Sequence, residues 1–433
     1  MIPTTKASAR RAHILSATLA SAVLAAFLAP PAWGATEQEL ELKLNALATQ
    51  VSQLQSELAT LKAQRAPVAG SAVAPAPASV HGDEVPKLDW FGYGELNYAR
   101  PRDDASRTIA DVGRFVLGAS YRFDAKTWFV SELEVEHAIS SAEDPGEVEV
   151  EQAYIEHRTG DRVFAKYGLF LMPVGMLNEN HEPTHYYGVF RNSVETAIIP
   201  TTWREGGVAF EGTLDNGLRW DAGVSTGFNL AKWDPTAGEG QESPLGSIHQ
   251  ELALASAGDL SVFAALNYSG IPGLRVGGSL FHGDSAQGQP GFRDNDVTLW
   301  EGHVRWNAGN WELSALTAHG RISNTAAVNL PLVGNPTLIP SDFFGHYVEG
   351  AYRATLANRW IVTPFLRYEA LNTASKYADL GAGLTPEPLR DEKVATAGLT
   401  LAIANGVVFK FDYRDFKRDD ANSGFDIGVG YQF

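Results

Sequence analysis

From residue 87 onward the chain keeps a two-residue period of apolar and polar positions. In the stretch beginning at Arg219, Trp220, Ala222 and Val224 alternate with Arg219, Asp221 and Ser225. Farther on, Val407, Phe409, Phe411 and Tyr413 alternate with Val408, Lys410, Asp412 and Arg414, and Phe425, Ile427, Val429, Tyr431 and Phe433 share one face near the end. Side chains of a strand point alternately to its two faces, so each run predicts a strand with one apolar and one polar face. The pattern predicts sixteen strands, near 88–99, 112–123, 126–138, 148–158, 162–170, 206–214, 217–228, 259–268, 273–283, 297–307, 310–320, 344–356, 359–371, 392–403, 406–417 and 423–433. Their links alternate in length. Turns such as Asp124-Ala125, Asp215-Asn216, Gly309 and Asn405-Gly406 are tight, and the links between them are longer. Short turns on one rim and long loops on the other mark a membrane-spanning barrel more than a soluble sandwich.

Charge placement tests this independently. Arg114, Arg122, Glu132, Glu134, Glu136, Glu301, Glu349, Glu369, Lys410, Asp412, Arg414 and Asp426 all fall on the polar faces, and the apolar faces are nearly free of charge. A lipid-facing Arg or Lys at mid-membrane costs about 2–4 kcal/mol, whereas a wet lumen tolerates it. Trp90, Trp128, Trp306, Trp311 and Trp360 sit near strand ends, as interfacial girdles do. The fold predicted is all-β: a transmembrane antiparallel β-barrel of sixteen strands with a short N-terminal coiled-coil helix.

The first 86 residues divide in three. Lys6, Arg10 and Arg11 precede an apolar run from Ile14 to Leu28, and Ala32 and Gly34 stand at −3 and −1 before Ala35. Residues 1–34 therefore predict a secretory signal peptide. Residues 35–65 carry Leu40, Leu44, Leu47, Val51, Leu54, Leu58 and Leu61 in alternating steps of four and three, a heptad seam for an oligomerising helix placed in the periplasm. Residues 66–86 form an Ala/Pro-rich linker, and 87–433 the barrel. The net charge of −17 argues against nucleic acid as a partner. With no Cys, neither disulfides nor thiolate chemistry is available.

One string invites an enzymatic interpretation. His181-Glu182-Pro183-Thr184-His185 matches the His-Glu-x-x-His spacing of zinc proteases, whose two imidazoles must lie one helical turn apart. Pro183 sits inside the helix that motif requires, at a cost of about 3 kcal/mol, and the flanking residues lack helical periodicity. A loop is expected here, with no catalytic residue, metal or cofactor assigned.

The segment from Tyr167 to Gly212 contains Gly168, Phe170, Pro173 and Gly175, then Pro200, Trp203 and Gly207. This stretch resembles the phosphate-selective porins O and P, in which such a run leads into the third external loop and a Pro-x-x-Trp-x-x-x-Gly stretch returns to the barrel. The resemblance implies a homotrimeric outer-membrane porin, a passive channel for small hydrophilic solutes, anions such as phosphate among them. Loop 3, about 171–204, would fold inward and narrow the pore. The lysine cluster of phosphate-selecting members has no counterpart here; the loop offers Glu179, His181, Glu182, His185, Arg191, Glu195, Arg204 and Glu205 as constriction residues. Arg162, Lys166, Arg219, Arg275, Arg305, Arg353 and Arg367 are the expected basic pore wall. Expected partners are the lipid bilayer, lipopolysaccharide and the barrel-assembly machinery, which would bind the last strand ending at Phe433. The alternative functions are an outer-membrane tether or structural barrel acting through the coiled coil and, against the objection of Pro183, a metalloprotease of the His-Glu-x-x-His type.

Overall fold

The computed structural model describes residues 87–141 and 143–433; the signal peptide, coiled coil and linker expected from the sequence lie outside the described residues. The strands are β1 (Lys87–Pro101), β2 (Ile109–Arg122), β3 (Thr127–Glu136), β4 (Val148–Arg158), β5 (Val163–Leu171), β6 (Arg204–Thr213), β7 (Leu218–Ser225) and β8 (Ser261–Ile271). There follow β9 (Leu274–Asp284), β10 (Asp296–Ala308), β11 (Trp311–Ile322), β12 (Asp342–Tyr352), β13 (Ile361–Lys376), β14 (Glu392–Ala404), β15 (Val407–Phe416) and β16 (Gly424–Gln432). A two-residue segment, Ala354–Thr355, continues β12 past Arg353. Every strand pairs antiparallel with its sequence neighbours, and β1 pairs with both β2 and β16, so the sheet closes. Backbone bonds between Gly92 and Phe433, at 2.9 and 3.1 Å, complete the seam. Closure leaves no unpaired edge, as an apolar solvent requires.

The alternation becomes a two-sided wall. Trp90, Phe115, Leu133, Leu266, Trp300, Val348, Leu366 and Phe425 are exposed on the outside. Their inward neighbours Arg114, Glu132, Glu134, Glu301, Arg367, Lys410 and Asp426 are buried.

The inside is not uniformly polar. Phe263, Phe281, Leu299, Leu316 and Phe343, from β8 to β12, point inward and form an apolar cluster with residues of the long loops. At its centre the Trp203 ring stacks on Phe228 (centroids 5.1 Å apart) and meets Phe281 edge-on at 4.8 Å. The strand pattern hides this cluster, because an inward Phe between outward Ala and Leu reads as part of an unbroken apolar run. Its partners come from loops distant in sequence.

Candidate functional site: the inward-folded third loop

Residues 172–203 connect β5 to β6 and run inside the barrel, held at their own two feet and by hydrogen bonds to wall residues on seven strands, β1, β2, β7, β12, β13, β15 and β16. The feet are joined first. Met172 N donates to Trp203 O at 2.9 Å. Between them lies Asn178, whose amide donates to Met172 O and Trp203 O, both at 2.8 Å, and accepts from Trp203 N at 2.7 Å. Glu195 closes the next turn. One carboxylate oxygen accepts from Met176 N and Leu177 N, both at 2.7 Å, and the other from Tyr347 OH of β12 at 2.7 Å. These donors reach both oxygens of the buried carboxylate, so neither is left unpaired.

Beyond its feet the loop is fastened to the wall by charge-assisted bonds. Val189 N donates to Asp412 of β15 and Ser193 N to Glu369 of β13, both at 2.5 Å. Arg367 of β13 reaches Tyr187 O at 3.2 Å, and Tyr186 OH donates to Glu95 of β1 at 2.7 Å. Lys410 of β15 lies 3.5 Å over the Tyr186 ring, a cation–π contact in a desolvated place.

The His-Glu-x-x-His string belongs to this fastening. Residues 181–185 form turns, not a helix. His181 is buried, with Nδ1 at 2.8 Å from Asn178 O and Nε2 at 2.6 Å from Tyr93 OH of β1, and Arg114 donates to its carbonyl at 2.6 Å. His185 turns to Glu182, with Nδ1 2.7 Å from its carboxylate. Burial pushes the Glu182 carboxyl up, but the hydrogen bond and charge of His185 outweigh it and hold the group below the usual carboxylate range. The two imidazoles have different partners, and among the described residues no group of three or more His, Asp and Glu is arranged to hold a metal ion.

The eight loop residues singled out in the sequence thus separate by role. Glu195 and His181 anchor the loop. Arg204 and Glu205 open β6 and are buried: Arg204 pairs with Glu149 and, at 2.9 Å, with Glu251, and Glu205 accepts from Trp203 Nε1 at 3.0 Å and from Thr226. Arg191 donates to Thr202 at 3.1 Å. Glu179, Glu182 and His185 remain partly exposed on the loop.

Glu179 is the loop acid that meets the basic wall. It lies 3.2 Å from Arg219 of β7, which also contacts Asp221 at 2.9 Å and Glu211 at 3.4 Å. Lys166 of β5 pairs with Glu211 at 2.9 Å, and Arg162 with Asp215 at the short-turn rim. Arg367 is held by Glu349 and Glu369 at 3.2 and 3.1 Å. Three arginines are left less compensated. Arg275 of β9 and Arg305 of β10 stand directly opposite each other in the ladder, and Arg275 also feels the charges of Arg219 and Glu179. Arg305 reaches Glu312 only at 3.7 Å. Arg353 sits at the break in β12, and with Arg305 it lies in electrostatic range of the loop residue Tyr187, whose ring stacks on Phe365 at 5.8 Å. Like charges opposed across a ladder are destabilising, so an Arg–Arg pair costs the wall stability.

Asn178, Tyr93 and Tyr187 escaped the sequence reading. A buried Asn bracket looks like any loop Asn, and a single inward Tyr has no periodic signature. Arg114, Glu369, Lys410 and Asp412 were visible as inward charges, but their employment as loop anchors depends on contacts far apart in sequence.

No family model matches the chain. A curated relative from Aquifex aeolicus (strain VF5), described as an uncharacterized protein, is 29% identical over 268 residues, which cover 60% of this chain and 60% of the relative. Among solved structures the chain is similar to Salmonella typhi OmpF in complex with daunomycin, at a TM-score of 0.58 and 16% identity, over 80% of this chain and 97% of that one. It is also similar to the outer membrane channel DcaP of Acinetobacter baumannii (TM-score 0.50, 16% identity, 80% and 97%). The anion-selective porin from Comamonas acidovorans matches at a TM-score of 0.50 and 12% identity, over 81% and 100%. The fold is therefore that of bacterial outer-membrane porins, a closed sixteen-stranded antiparallel barrel.

Proposed function

We propose that this protein is a porin of the bacterial outer membrane, a passive channel for small hydrophilic solutes in which loop 3 narrows the lumen. The observation that carries this is the loop itself: residues 172–203 lie inside the barrel, fixed to the wall by Asp412, Glu369, Tyr347 and Tyr93. A segment so fastened sets a fixed passage, and charges beside it act through low-dielectric walls more strongly than in bulk water. We further propose that anions, phosphate among them, are favoured, because Arg275 and Arg305 oppose each other in the ladder and Arg305 reaches Glu312 only at 3.7 Å, with Arg353 expected to join them along the passage. The trimer, usual for such barrels, and the placement of the coiled coil in the periplasm belong to the same proposal.

Reconstitution into liposomes tests the channel. Vesicles carrying the protein are expected to swell in small neutral sugars and to admit phosphate, and protein-free vesicles to do neither. A protein that inserts and passes neither solute would contradict the channel and favour the tether.

A further inference from the structure

Loop 3 meets β1 through three hydrogen-bond contacts in series. His181 Nδ1 lies 2.8 Å from Asn178 O, His181 Nε2 lies 2.6 Å from the Tyr93 hydroxyl, and that hydroxyl lies 2.9 Å from Glu151 Oε2. All three side chains are buried, Glu151 completely. A β-bulge puts Glu151 there. Glu132 of β3 faces Gln152 of β4 and Leu133 faces Val150, so Glu151 is the extra residue between them, and the bulge aims it inward beside Gln152. Gln152 itself donates to Glu132 at 2.8 Å.

Each contact needs one hydrogen. A carbonyl oxygen only accepts, so Nδ1 carries a proton, and a phenol has a single proton that cannot serve both Nε2 and Oε2. Either Tyr93 donates to Glu151 while a protonated Nε2 donates to Tyr93, or Tyr93 donates to Nε2 while a protonated Glu151 donates to Tyr93. Both arrangements hold three protons, whereas a neutral imidazole, a phenol and a carboxylate hold two. Removal of the third leaves lone pair facing lone pair across 2.6 or 2.9 Å in a buried place. The surroundings favour keeping it. Glu132, Glu134 and Glu136 of β3, Glu149 of β4 and Glu182 of the loop lie in electrostatic range of the set, against Arg114 of β2 and Arg191 of the loop. Glu149 pairs with Arg204, and Arg114 is committed to Glu95 at 2.9 Å and to His181 O at 2.6 Å. Loss of a proton therefore adds a negative charge where acids already outnumber bases.

We propose that Tyr93, His181 and Glu151 form a proton-binding site that fastens loop 3 to β1 while the third proton is bound and frees it when that proton is lost as pH rises. This rests on loop 3 lying inside the barrel and not on what the barrel conducts. With the His181 ring free of β1, residues 179–182 keep Arg114 and Arg219 as wall contacts and fluctuate into the passage. Two readouts on the full-length protein test the site: amide hydrogen exchange at 179–182, corrected for its intrinsic pH dependence, and single-channel current noise in a planar bilayer. The range runs from about pH 6.5 to about pH 10, the ordinary values of histidine and tyrosine. Both readouts are expected to rise with pH, exchange by about tenfold, the effect of one such bond. Glu151→Gln gives Tyr93 an amide N–H that is not titrated in this range, so both readouts should stay flat at their low-pH level. Tyr93→Phe removes the bridge, so exchange should be fast at every pH. Exchange in the unsubstituted protein that does not change over the range would overturn the site. So would a pH step that persists in Glu151→Gln or, should that variant not fold, in Tyr93→Phe. Exchange reports on the loop whether or not the protein conducts, so a step in exchange without any channel current would contradict the porin reading and leave the site standing.

Discussion

Asn178 holds the two feet of loop 3 with three hydrogen bonds, all buried. Removing one partner of a buried hydrogen bond leaves the other unsatisfied, at about 1–3 kcal/mol each. Asn178→Ala is therefore expected to expose loop 3 to limited proteolysis while the barrel keeps its heat resistance on gels. A barrel that unfolds outright would show the anchor to be global. The Glu182–His185 pair sets a pH dependence. Because the Glu182 carboxyl is held below its ordinary value, the pair persists at neutral pH and is lost as pH falls through that lowered value, below the ordinary ~4.3 of a Glu. Amide exchange at Thr184–Tyr186 should therefore rise only in that acidic range, and Glu182→Gln should raise it already at pH 7. Indifference of Glu182→Gln to pH, with the slow exchange of the unsubstituted protein, would deny the pair its role. His181→Ala/His185→Ala should leave assembly intact, with loop 3 loosened at Tyr93.

At the scale of elements, the strands were legible because a wall between lipid and water enforces a strict two-residue period. The predicted 148–158 coincides with β4, and 392–403 differs from β14 by one residue. Longer discrepancies fall at the long-loop rim, where β13 runs to Lys376 and not 371 because its end pairs with Asp342 across a register shift. Loop 3 was legible as an inward loop through the resemblance of 167–212, but its fastening was not, since Asp412 and Glu369 lie 223 and 176 residues from the amides they accept. Two inward glycines of β16 make room for it. A Cβ at Gly430 would lie 2.6 Å from Pro183 Cβ, and one at Gly428 would lie 3.0 Å from Val189. Gly430→Val is expected to displace loop 3 and raise single-channel conductance, which unaltered conductance in folded protein would refute. On the wall, Arg275→Ala/Arg305→Ala relieves like-charge opposition, so thermal stability should hold or rise while anion preference falls. Unchanged ion preference would remove this pair from the passage.

For the whole molecule, the acidic total and the proposed anion preference are compatible because charge acts by position. The chain is −17 overall, yet Arg275 of β9 and Arg305 of β10 stand opposite each other on inward positions of the wall. Field lines in a narrow passage follow those local charges, and the distant acids are screened beyond about 10 Å at 0.1 M salt. The deciding measurement is the zero-current potential of the purified protein in a planar bilayer under a salt gradient, followed by addition of phosphate. Conductance with a potential of the sign set by faster anion flow, reduced when phosphate enters, is the predicted result. Cation-signed potential would contradict the basic passage, and absence of conductance from inserted protein would contradict the channel itself.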